Sequence, residues 1–373
     1  MGLVFCKPFR TIRLWQIRGS FGHLAIEPEL TLQETVRSHA VLQIKRYYQR
    51  PLIIGFLDGK SSNSHLWRLW KTSIVTVPRP IGVVAWVLLG KSRWGSDLIY
   101  RRTSADIDVR GSLTNSPPFF VPSHRSRFEG WRLLSRLGLD LDQPFVLLNV
   151  RDSSDDDPSQ RATTFRDADL RSYQSSITLL RNSGFQVVRV GSRAEIPVGV
   201  EGLTDFSGST AYSGAGDIFL ASHCAFVIST QAGFDAATTL FRKPTLFTNV
   251  ARISRLVRQT NAIHIFKHHW SADGRLTQNQ IWASGAAGFH FDRQWEEAGI
   301  GLSDNSAEEL CDATRELISR YLGDVLQTQE DLDNQRLFKK AYSRGIGLES
   351  MFSGPFIGRI GTAFLRANPE WLT

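Results

Sequence analysis

The chain carries a small, hydroxyl-rich turn, Ser229-Thr230-Gln231-Ala232-Gly233, between a short apolar run and a segment with helical spacing. Strands that alternate with helices predict a parallel sheet, and such sheets bind ligands at the carboxyl ends of their strands. A glycine-containing turn that leads into a helix presents main-chain N–H groups to an anion. The turn therefore predicts a diphosphate site formed by Ser229, Thr230, Gln231 and Gly233. The alternative is an ordinary strand-to-helix loop capped by Ser or Thr.

A second candidate anion ligand is Arg151, which ends the apolar run at residues 145–150 and precedes an acidic loop. A guanidinium at the carboxyl end of a strand can clamp a phosphate through two hydrogen bonds, although a salt bridge to a neighbouring aspartate is the alternative. Asp155, Asp156 and Asp157 are also candidate metal ligands, because carboxylates can hold a divalent cation that bridges a diphosphate. Acidic residues before a Pro-Ser loop are more typical of a solvated turn, so we predict no metal site.

The segment Tyr212-Ser213-Gly214-Ala215-Gly216-Asp217 precedes another predicted helix, at residues 217–222. Ser213 and Asp217 are predicted to form the other wall of the diphosphate pocket. The alternative is that these residues only cap the helix.

Near the amino terminus, a predicted strand at residues 11–17 leads into a loop that contains Gly19, Ser20 and Gly22. The glycines indicate a turn into a helix, and we predict that this loop contacts the acceptor or a phosphate. A second strand is predicted for residues 51–57, so the first half also has a strand, loop, helix and strand order.

His23 and Glu27 lie four residues apart and therefore on one face of that helix. His23 is then a candidate general base, with a capping or interface histidine as the alternative. Pro28 is expected to kink or stop the helix. Asp58, at the end of the strand predicted for residues 51–57, is a second candidate base, although Asp-Gly is foremost a turn signal.

The 373 residues, of which 42% are hydrophobic and 21% charged, are typical of a folded protein with two domains. The three cysteines are widely spaced and the amino terminus lacks a secretory pattern, which predicts a cytoplasmic protein. The longest apolar run, residues 81–89, has about half of the ~20 residues that a membrane span requires.

Charge is distributed unevenly along the chain. Residues 1–140 contain 21 Lys and Arg against 9 Asp and Glu, although the net charge of the whole chain is only +8. We find no zinc-finger spacing, RNA-binding aromatic motif or basic heptad region, so we predict no nucleic-acid partner. A basic first domain fits an anionic substrate or an anionic membrane surface better.

With these residues in place, the chain resembles a family of bacterial glycosyltransferases that occurs among polysaccharide-biosynthesis genes. The matching stretches are residues 22–29, FVLLNVRDSS, residues 173–191, YSGAGDIFLASHCAFVISTQAGFDAATTLFRKPTLFTN, KHHWSADGRLT, GIGLSDNSAEEL and RIGTAFLRANPEWL. They cover most of the chain outside residues 40–135.

More distantly, the second half looks like the donor domain of GT-B sugar transferases of the protein O-fucosyltransferase type. There the arginine of the strand-end motif contacts the donor diphosphate, and the resemblance gives that role to Arg151. The fucosyltransferase pattern usually has a His and two Arg at this point. This chain has Asn149 and Asp152 instead, which leaves the base and the sugar of the donor open.

The resemblance implies an α/β fold of GT-B architecture, with two Rossmann-like domains whose parallel sheets face each other across a cleft. Residues 1–135 would form the acceptor-side domain and residues 136–350 the donor domain. Residues 351–373 would form a helix that packs back on the first domain. It also implies a nucleotide-sugar donor as substrate, no other cofactor, no bound metal, and contact of the first domain with the acceptor and an anionic membrane surface.

We therefore predict a metal-independent glycosyltransferase that transfers a sugar from a nucleotide diphosphate to a glycan or a lipid-linked acceptor. His23, or else Glu27 or Asp58, would take the acceptor proton. Two alternatives stay open. One is a sugar-nucleotide 2-epimerase or hydrolase on the same fold, and the other is a noncatalytic protein that binds nucleotides or polyanions.

Overall fold

A computed structural model describes residues 12–40, 52–93, 95–100, 108, 111–119, 121–152, 162–191, 195–325, 327–347 and 356–373. The strands are β1 (Ile12–Arg18), β2 (Leu52–Asp58), β3 (Val75–Thr76), β4 (Ile99–Tyr100), β5 (Phe145–Asn149), β6 (Gln186–Arg189), β7 (Leu203–Asp205), β8 (Val227–Ser229), β9 (Thr245–Val250), β10 (Ala262–Phe266), β11 (His268–Ser271), β12 (Gly274–Arg275), β13 (Gly301–Ser303) and β14 (Arg359–Ile360). The helices are α1 (Phe21–Ala40), α2 (Ser64–Trp70), α3 (Arg79–Gly90), α4 (Gly95–Leu98), α5 (Ser112–Asn115), α6 (His124–Arg136), α7 (Gln174–Asn182), α8 (Gly214–His223), α9 (Asp235–Leu240), α10 (Gln278–Ala283), α11 (Asp292–Glu297), α12 (Ala307–Leu322), α13 (Gln329–Ile346) and α14 (Thr362–Ala367).

The N-terminal half contains a parallel sheet with the strand order β3-β2-β1-β4. Its two long strands are rich in Ile, Leu and aromatic residues, which favour the extended conformation. Trp15, Ile17 and Phe56 are buried on this sheet. Because the strands are parallel, their carboxyl ends share one edge, and α1 begins at that edge directly after β1.

Helix α1 continues through Pro28, contrary to the expected kink or stop. Proline has no N–H, so the helical hydrogen bond to the carbonyl of Leu24 is missing. The indole Nε1 of Trp70, on α2, donates to that carbonyl instead, at 2.8 Å. A neighbouring helix therefore supplies the donor that proline lacks, and the helix stays intact.

The C-terminal half contains a larger parallel sheet with the order β14-β10-β9-β8-β5-β6-β7. The first six strands of this half in chain order, β5 to β10, have the doubly wound order of a Rossmann sheet. The strand order reverses between the parallel neighbours β5 and β8, where Asn149 pairs with Ser229. Every residue of β5, β8, β9 and β10 is buried, as expected for central strands of a covered parallel sheet. The prediction of an α/β fold with two parallel sheets is confirmed.

The last segment of the chain differs from its prediction. Residues 359–360 form β14, which extends the larger sheet, and α14 packs against α12 and α13 of the same half. Phe356, Phe364 and Trp371 bury their rings there, against a core that includes Phe266. These apolar residues hold the segment on the C-terminal half rather than on the N-terminal half. A small antiparallel sheet, β12-β11-β13, adjoins this region.

The two halves contact each other at the start of α1 and along α2. Phe21 stacks on Phe234 with ring centroids 5.7 Å apart, and the buried carboxylate of Glu29 lies 2.6 Å from the guanidinium of Arg242. These contacts hold the carboxyl edge of the smaller sheet against that of the larger one. None of the helices in the described ranges is long and apolar enough to span a bilayer.

Replacing Trp70 with Phe tests whether the indole N–H compensates for the helical hydrogen bond that Pro28 cannot make. The substitution leaves the buried carbonyl of Leu24 without this donor, which costs about 1–3 kcal/mol of unfolding free energy in addition to the packing loss. In a Pro28→Ala background the restored N–H supplies the bond, so the loss from Trp70→Phe should be smaller. Urea unfolding of the four proteins measures the difference, and Trp131→Phe, at a partly exposed position, serves as a control. Equal losses in both backgrounds would contradict this explanation.

Candidate functional site

The carboxyl ends of β5 and β8 lie side by side at the point where the larger sheet reverses its order. The amide of Asn149 donates to the hydroxyl of Ser229 at 3.1 Å, and the N–H of Arg151 donates to the hydroxyl of Thr230 at 2.9 Å. Ser229 and Thr230 are almost fully buried. Their hydroxyls therefore hold the two strand ends together.

The rest of the predicted turn faces a cleft. Gln231 has a φ of +56°, in the left-handed region that residues other than glycine seldom adopt. Within the described ranges, the amides of Gln231, Ala232 and Gly233 donate to no main-chain carbonyl. Gly233 is exposed. The turn thus presents main-chain donors at the switch point of the sheet, which is where open α/β sheets bind ligands.

Arg151 lies at the strand end, as predicted, but its guanidinium has protein partners. It lies 3.0 Å from the carboxylate of Asp167 and donates to the hydroxyl of Thr163 at 2.9 Å. Burial lowers the pKa of Arg151, and Asp167 opposes that shift. Among the described residues, the guanidinium of Arg151 thus forms a salt bridge with Asp167. Asp155, Asp156 and Asp157 lie outside the described residues.

Arg166 is a site residue that the sequence analysis missed. Its guanidinium donates to the carbonyl of Gln231. Its Nε is buried and has no hydrogen-bond partner among the described residues. Burial, followed by the charge of Arg151, lowers its pKa. A buried guanidinium nitrogen without an acceptor favours the binding of an anion.

Two neighbouring cavities lie between the halves and share Phe21, Arg166, Ala232 and Gly233. The switch-point cavity, of about 500 Å³, is lined by Phe21, Ser62, Asn149, Arg151, Asp152, Thr163, Arg166, Gly191, Tyr212, Asp217, Ala232, Gly233 and Phe234. The cleft cavity, of about 650 Å³, is lined by residues of both halves, including Arg18, Ser20, Gly22, His23, Asp108, Arg166, Gln231, Asp235, Arg252, Arg255, Arg258 and His290. Together they form one elongated site from His23 to the end of β5.

The cleft cavity is strongly cationic. Among the described residues that line it, five are arginines and only two are aspartates. The ring of His290 lies between two of these arginines, with Nδ1 2.9 Å from Arg252 and Nε2 3.3 Å from Arg255. Neighbouring cations repel one another, so an anion bound in the cavity would relieve the repulsion.

His23 faces this cavity from the N-terminal half. Its Nδ1 lies 3.0 Å from the carboxylate of Glu27, and the guanidinium of Arg18 lies 3.2 Å from its Nε2. Glu27 is buried and also lies 2.6 Å from Arg18. Arginine can only donate, so its contact identifies Nε2 as the nitrogen that can accept a hydrogen bond. The structure thus brings His23 and Glu27 together on one helix face, as predicted.

Of the other residues predicted for a site in the N-terminal half, some line the cleft cavity and others do not. Ser20 and Gly22 line the cleft cavity. Gly19 is packed so closely that an added Cβ would lie 2.2 Å from the carbonyl of Lys60. Asp58 is exposed and lines neither the cleft cavity nor the switch-point cavity.

Ser213 and Asp217 organise α8. The hydroxyl of Ser213 accepts from the N–H of Gly216 at 3.0 Å, which is a helix cap. Asp217 lines the switch-point cavity and accepts hydrogen bonds at 3.2 Å from Asn63, in the other half, and from the hydroxyl of Tyr212. Asp217 therefore also joins the two halves.

A third cavity of about 610 Å³, which we call the α6 groove, runs between α2, α6 and α8. Its lining is mainly apolar, with Leu69, Leu133 and Phe219 among its residues. It lacks the arginine cluster of the cleft, so charge distinguishes the two sites. No group of three His, Cys, Asp or Glu residues that could hold a metal ion occurs within the described ranges.

Asp235, in the first turn of α9, also lines the cleft cavity. Burial raises the pKa of its carboxyl group to about 7, against the opposing effect of Arg166. Its side chain accepts a hydrogen bond from the hydroxyl of Ser229 at 3.2 Å. The fold therefore disfavours the ionised carboxylate.

This shift predicts a pH-dependent effect of the substitution Asp235→Asn. The folded protein retains the proton up to about pH 7 and the unfolded chain loses it near pH 4, so the stability of the wild type relative to the variant falls as pH rises through that window. The rate of fall is at most about 1.4 kcal/mol per pH unit, and the difference levels off above pH 7. Urea unfolding of both proteins from about pH 4 to about pH 8 measures it. A difference that does not change with pH would contradict the assignment.

Comparisons with known proteins support the fold. No family model matches the chain, and no curated protein matches it. A crystal structure of a family 9 glycosyl transferase from Veillonella parvula is 14% identical and has a TM-score of 0.50. The match covers 86% of this chain and 99% of that protein.

Two further solved structures are more distant. The iron-containing dodecameric glycosyltransferase TibC from enterotoxigenic E. coli is 12% identical with a TM-score of 0.42, over 83% of this chain and 76% of TibC. The ADP-heptose LPS heptosyltransferase II of E. coli is 13% identical with a TM-score of 0.36, over 68% of this chain and 90% of that protein. The Veillonella match and the two facing parallel sheets together show that the chain has the GT-B fold.

Proposed function

We propose that this protein is a glycosyltransferase that transfers a sugar from a nucleotide-diphosphate donor to a hydroxyl group of a glycan or a lipid-linked acceptor. One observation carries the proposal. The cationic cleft cavity meets the switch point of the larger sheet, and a candidate base faces it from the other half. A diphosphate fits the charge of this site, and an acceptor hydroxyl fits the position of His23.

In this proposal Arg166 and the amides of Gln231, Ala232 and Gly233 contact the diphosphate. The leaving nucleotide gains negative charge as the glycosidic bond breaks, so these donors stabilise the transition state more than the bound substrate. Arg151, Ser229 and Thr230 position the turn through the hydrogen bonds and the ion pair described above. Asp217 and the Ser213 cap hold the opposite wall.

His23 would accept the proton of the acceptor hydroxyl. Glu27 lies against Nδ1 and favours the tautomer with its proton there, which leaves Nε2 as the basic nitrogen. The attacking hydroxyl would take the place of Arg18, whose side chain is 45% exposed and would turn from Glu27 toward a bound phosphate. Glu27 is buried beneath His23, so it orients the imidazole.

We further propose that the arginines neutralise the diphosphate without a metal ion and that no cofactor other than the nucleotide sugar takes part. In this proposal, residues 1–135 bind the acceptor and residues 136–350 bind the donor. We also propose that the protein is cytoplasmic, lies at the inner membrane and has no nucleic-acid partner. The basic first half of the chain supports contact with an anionic membrane, and the widely spaced cysteines support a cytoplasmic location. The lack of nucleic-acid-binding motifs supports the last point.

Donor binding can be tested by thermal shift with UDP, GDP, CMP and TDP. A ligand that binds the folded state raises the melting temperature with its occupancy, so one of these nucleotides should stabilise the wild type. Arg166→Gln should weaken that nucleotide about ten- to a hundredfold, because a hydrogen bond to a charged group is lost. Arg293→Gln, at an exposed position, is the control and should bind like the wild type. Equal binding by the Arg166 variant would contradict the assignment.

Catalysis can be tested with the sugar derivatives of the nucleotide found in that screen. His23→Asn should lower kcat by roughly a hundredfold to ten-thousandfold, as expected for the loss of a general base, while the donor-induced thermal shift stays unchanged. Sugar transfer should require an added glycan or lipid-linked acceptor. Conversion of the nucleotide sugar without any acceptor would instead favour an epimerase or a hydrolase.

A further inference from the structure

Helix α3 has an apolar face that the rest of the described protein leaves open. Leu88 is 65% exposed and Ile81 and Val84 are each 59% exposed. The other exposed hydrophobic residues of the helix are Val83 and Val87. Helical spacing places all five on the outer half of α3. We call this surface the α3 face.

The opposite side of α3 is fixed to the sheet. Gly82 packs against the ring of Phe56, where an added Cβ would lie 2.2 Å from the ring. Trp86 makes an edge contact with the same ring, at a centroid distance of 6.0 Å. The exposure of the α3 face is therefore a consequence of how the helix is anchored, and the helix cannot turn its apolar residues inward without losing these contacts.

The surrounding sequence lacks negative charge. Residues 59–96 contain six Lys and Arg and not one Asp or Glu. Arg79 begins α3, while Lys91 and Arg93 follow its end, and all three are exposed. An apolar patch with cations at both ends matches the boundary between the acyl chains and the headgroups of an anionic bilayer.

The position of the helix agrees with this partner. β3 is parallel to β1, so the first turn of α3 lies at the same edge of the smaller sheet as Arg18 and the start of α1. Contact of α3 with a bilayer would therefore hold the opening between the halves near the membrane surface.

We propose that the α3 face docks on an anionic phospholipid bilayer, with its five apolar side chains in the outer acyl region and Arg79, Lys91 and Arg93 at the headgroups. Each inserted aliphatic side chain contributes roughly a tenfold gain in partitioning, and each cation near the surface about a fivefold gain. Docking is a property of this face alone and does not depend on the proposed activity.

Flotation of the full chain with vesicles tests the proposal without any substrate. The wild type should float with vesicles of phosphatidylcholine and phosphatidylglycerol at low salt, and less with phosphatidylcholine alone or at high salt. The variant Ile81→Ser/Val84→Ser/Leu88→Ser should lose at least about a hundredfold in partitioning. Lys91→Glu/Arg93→Glu should lose the preference for phosphatidylglycerol.

A matched control removes exposed apolar residues elsewhere. Val121→Ser/Phe128→Ser changes side chains that are 71% and 64% exposed on another surface and should float like the wild type. All variants change exposed residues, so their melting temperatures should equal that of the wild type. Failure of the wild type to float, or equal flotation by the triple serine variant, would overturn the proposal. A dimer in size-exclusion chromatography that only the triple serine variant dissociates would overturn it too, because the face would then join two copies of the chain.

Discussion

The concentration of guanidinium groups between the two sheets is the constraint on which the rest of the site depends. Like charges repel most strongly where water is excluded, so such a cluster is costly unless the fold holds it and opposite charges compensate it. Arg166 comes from the segment after β5, and Arg252, Arg255 and Arg258 come from the segment after β9. The apolar core beneath these segments fixes them, because Phe165 and Ile253 are buried beside two of the arginines. The hydrophobic core thus stabilises an arrangement of charges that would otherwise separate.

A second set of contacts, outside the arginine cluster, determines where the two halves meet. The stack of Phe21 on Phe234 and the ion pair of Glu29 with Arg242 join α1 to the turn at the end of β8 and to α9. His23 follows Phe21 by two residues, so the contact that joins the halves also places the imidazole at the cleft cavity. The bond from Trp70 to the carbonyl of Leu24 keeps α1 helical through Pro28 and maintains this position. Fold stability and the geometry of the candidate base are therefore coupled through α1.

Sequence patterns predicted the parallel strands and the turn at residues 229–233, because both depend on local spacing. They also placed His23 and Glu27 on one face, since four residues make about one helical turn. They could not show that the hydroxyls of Ser229 and Thr230 point into the protein, because side-chain direction at a strand end depends on the neighbouring strand. Arg166 had no signal, since it lies in an irregular segment and its importance comes only from tertiary contact with Gln231. The final segment was predicted as a single helix because its strand is only two residues long and has no detectable period.

The most direct test is a crystal structure of the protein soaked with the nucleoside diphosphate that stabilises it best. We expect electron density for the diphosphate within hydrogen-bonding distance of the Arg166 guanidinium and of the amides of Ala232 and Gly233. We also expect the acceptor side of the bound molecule to face His23. Density for the nucleotide in the α6 groove, with the arginine cluster empty, would contradict the central claim that the cluster and the turn form the donor site.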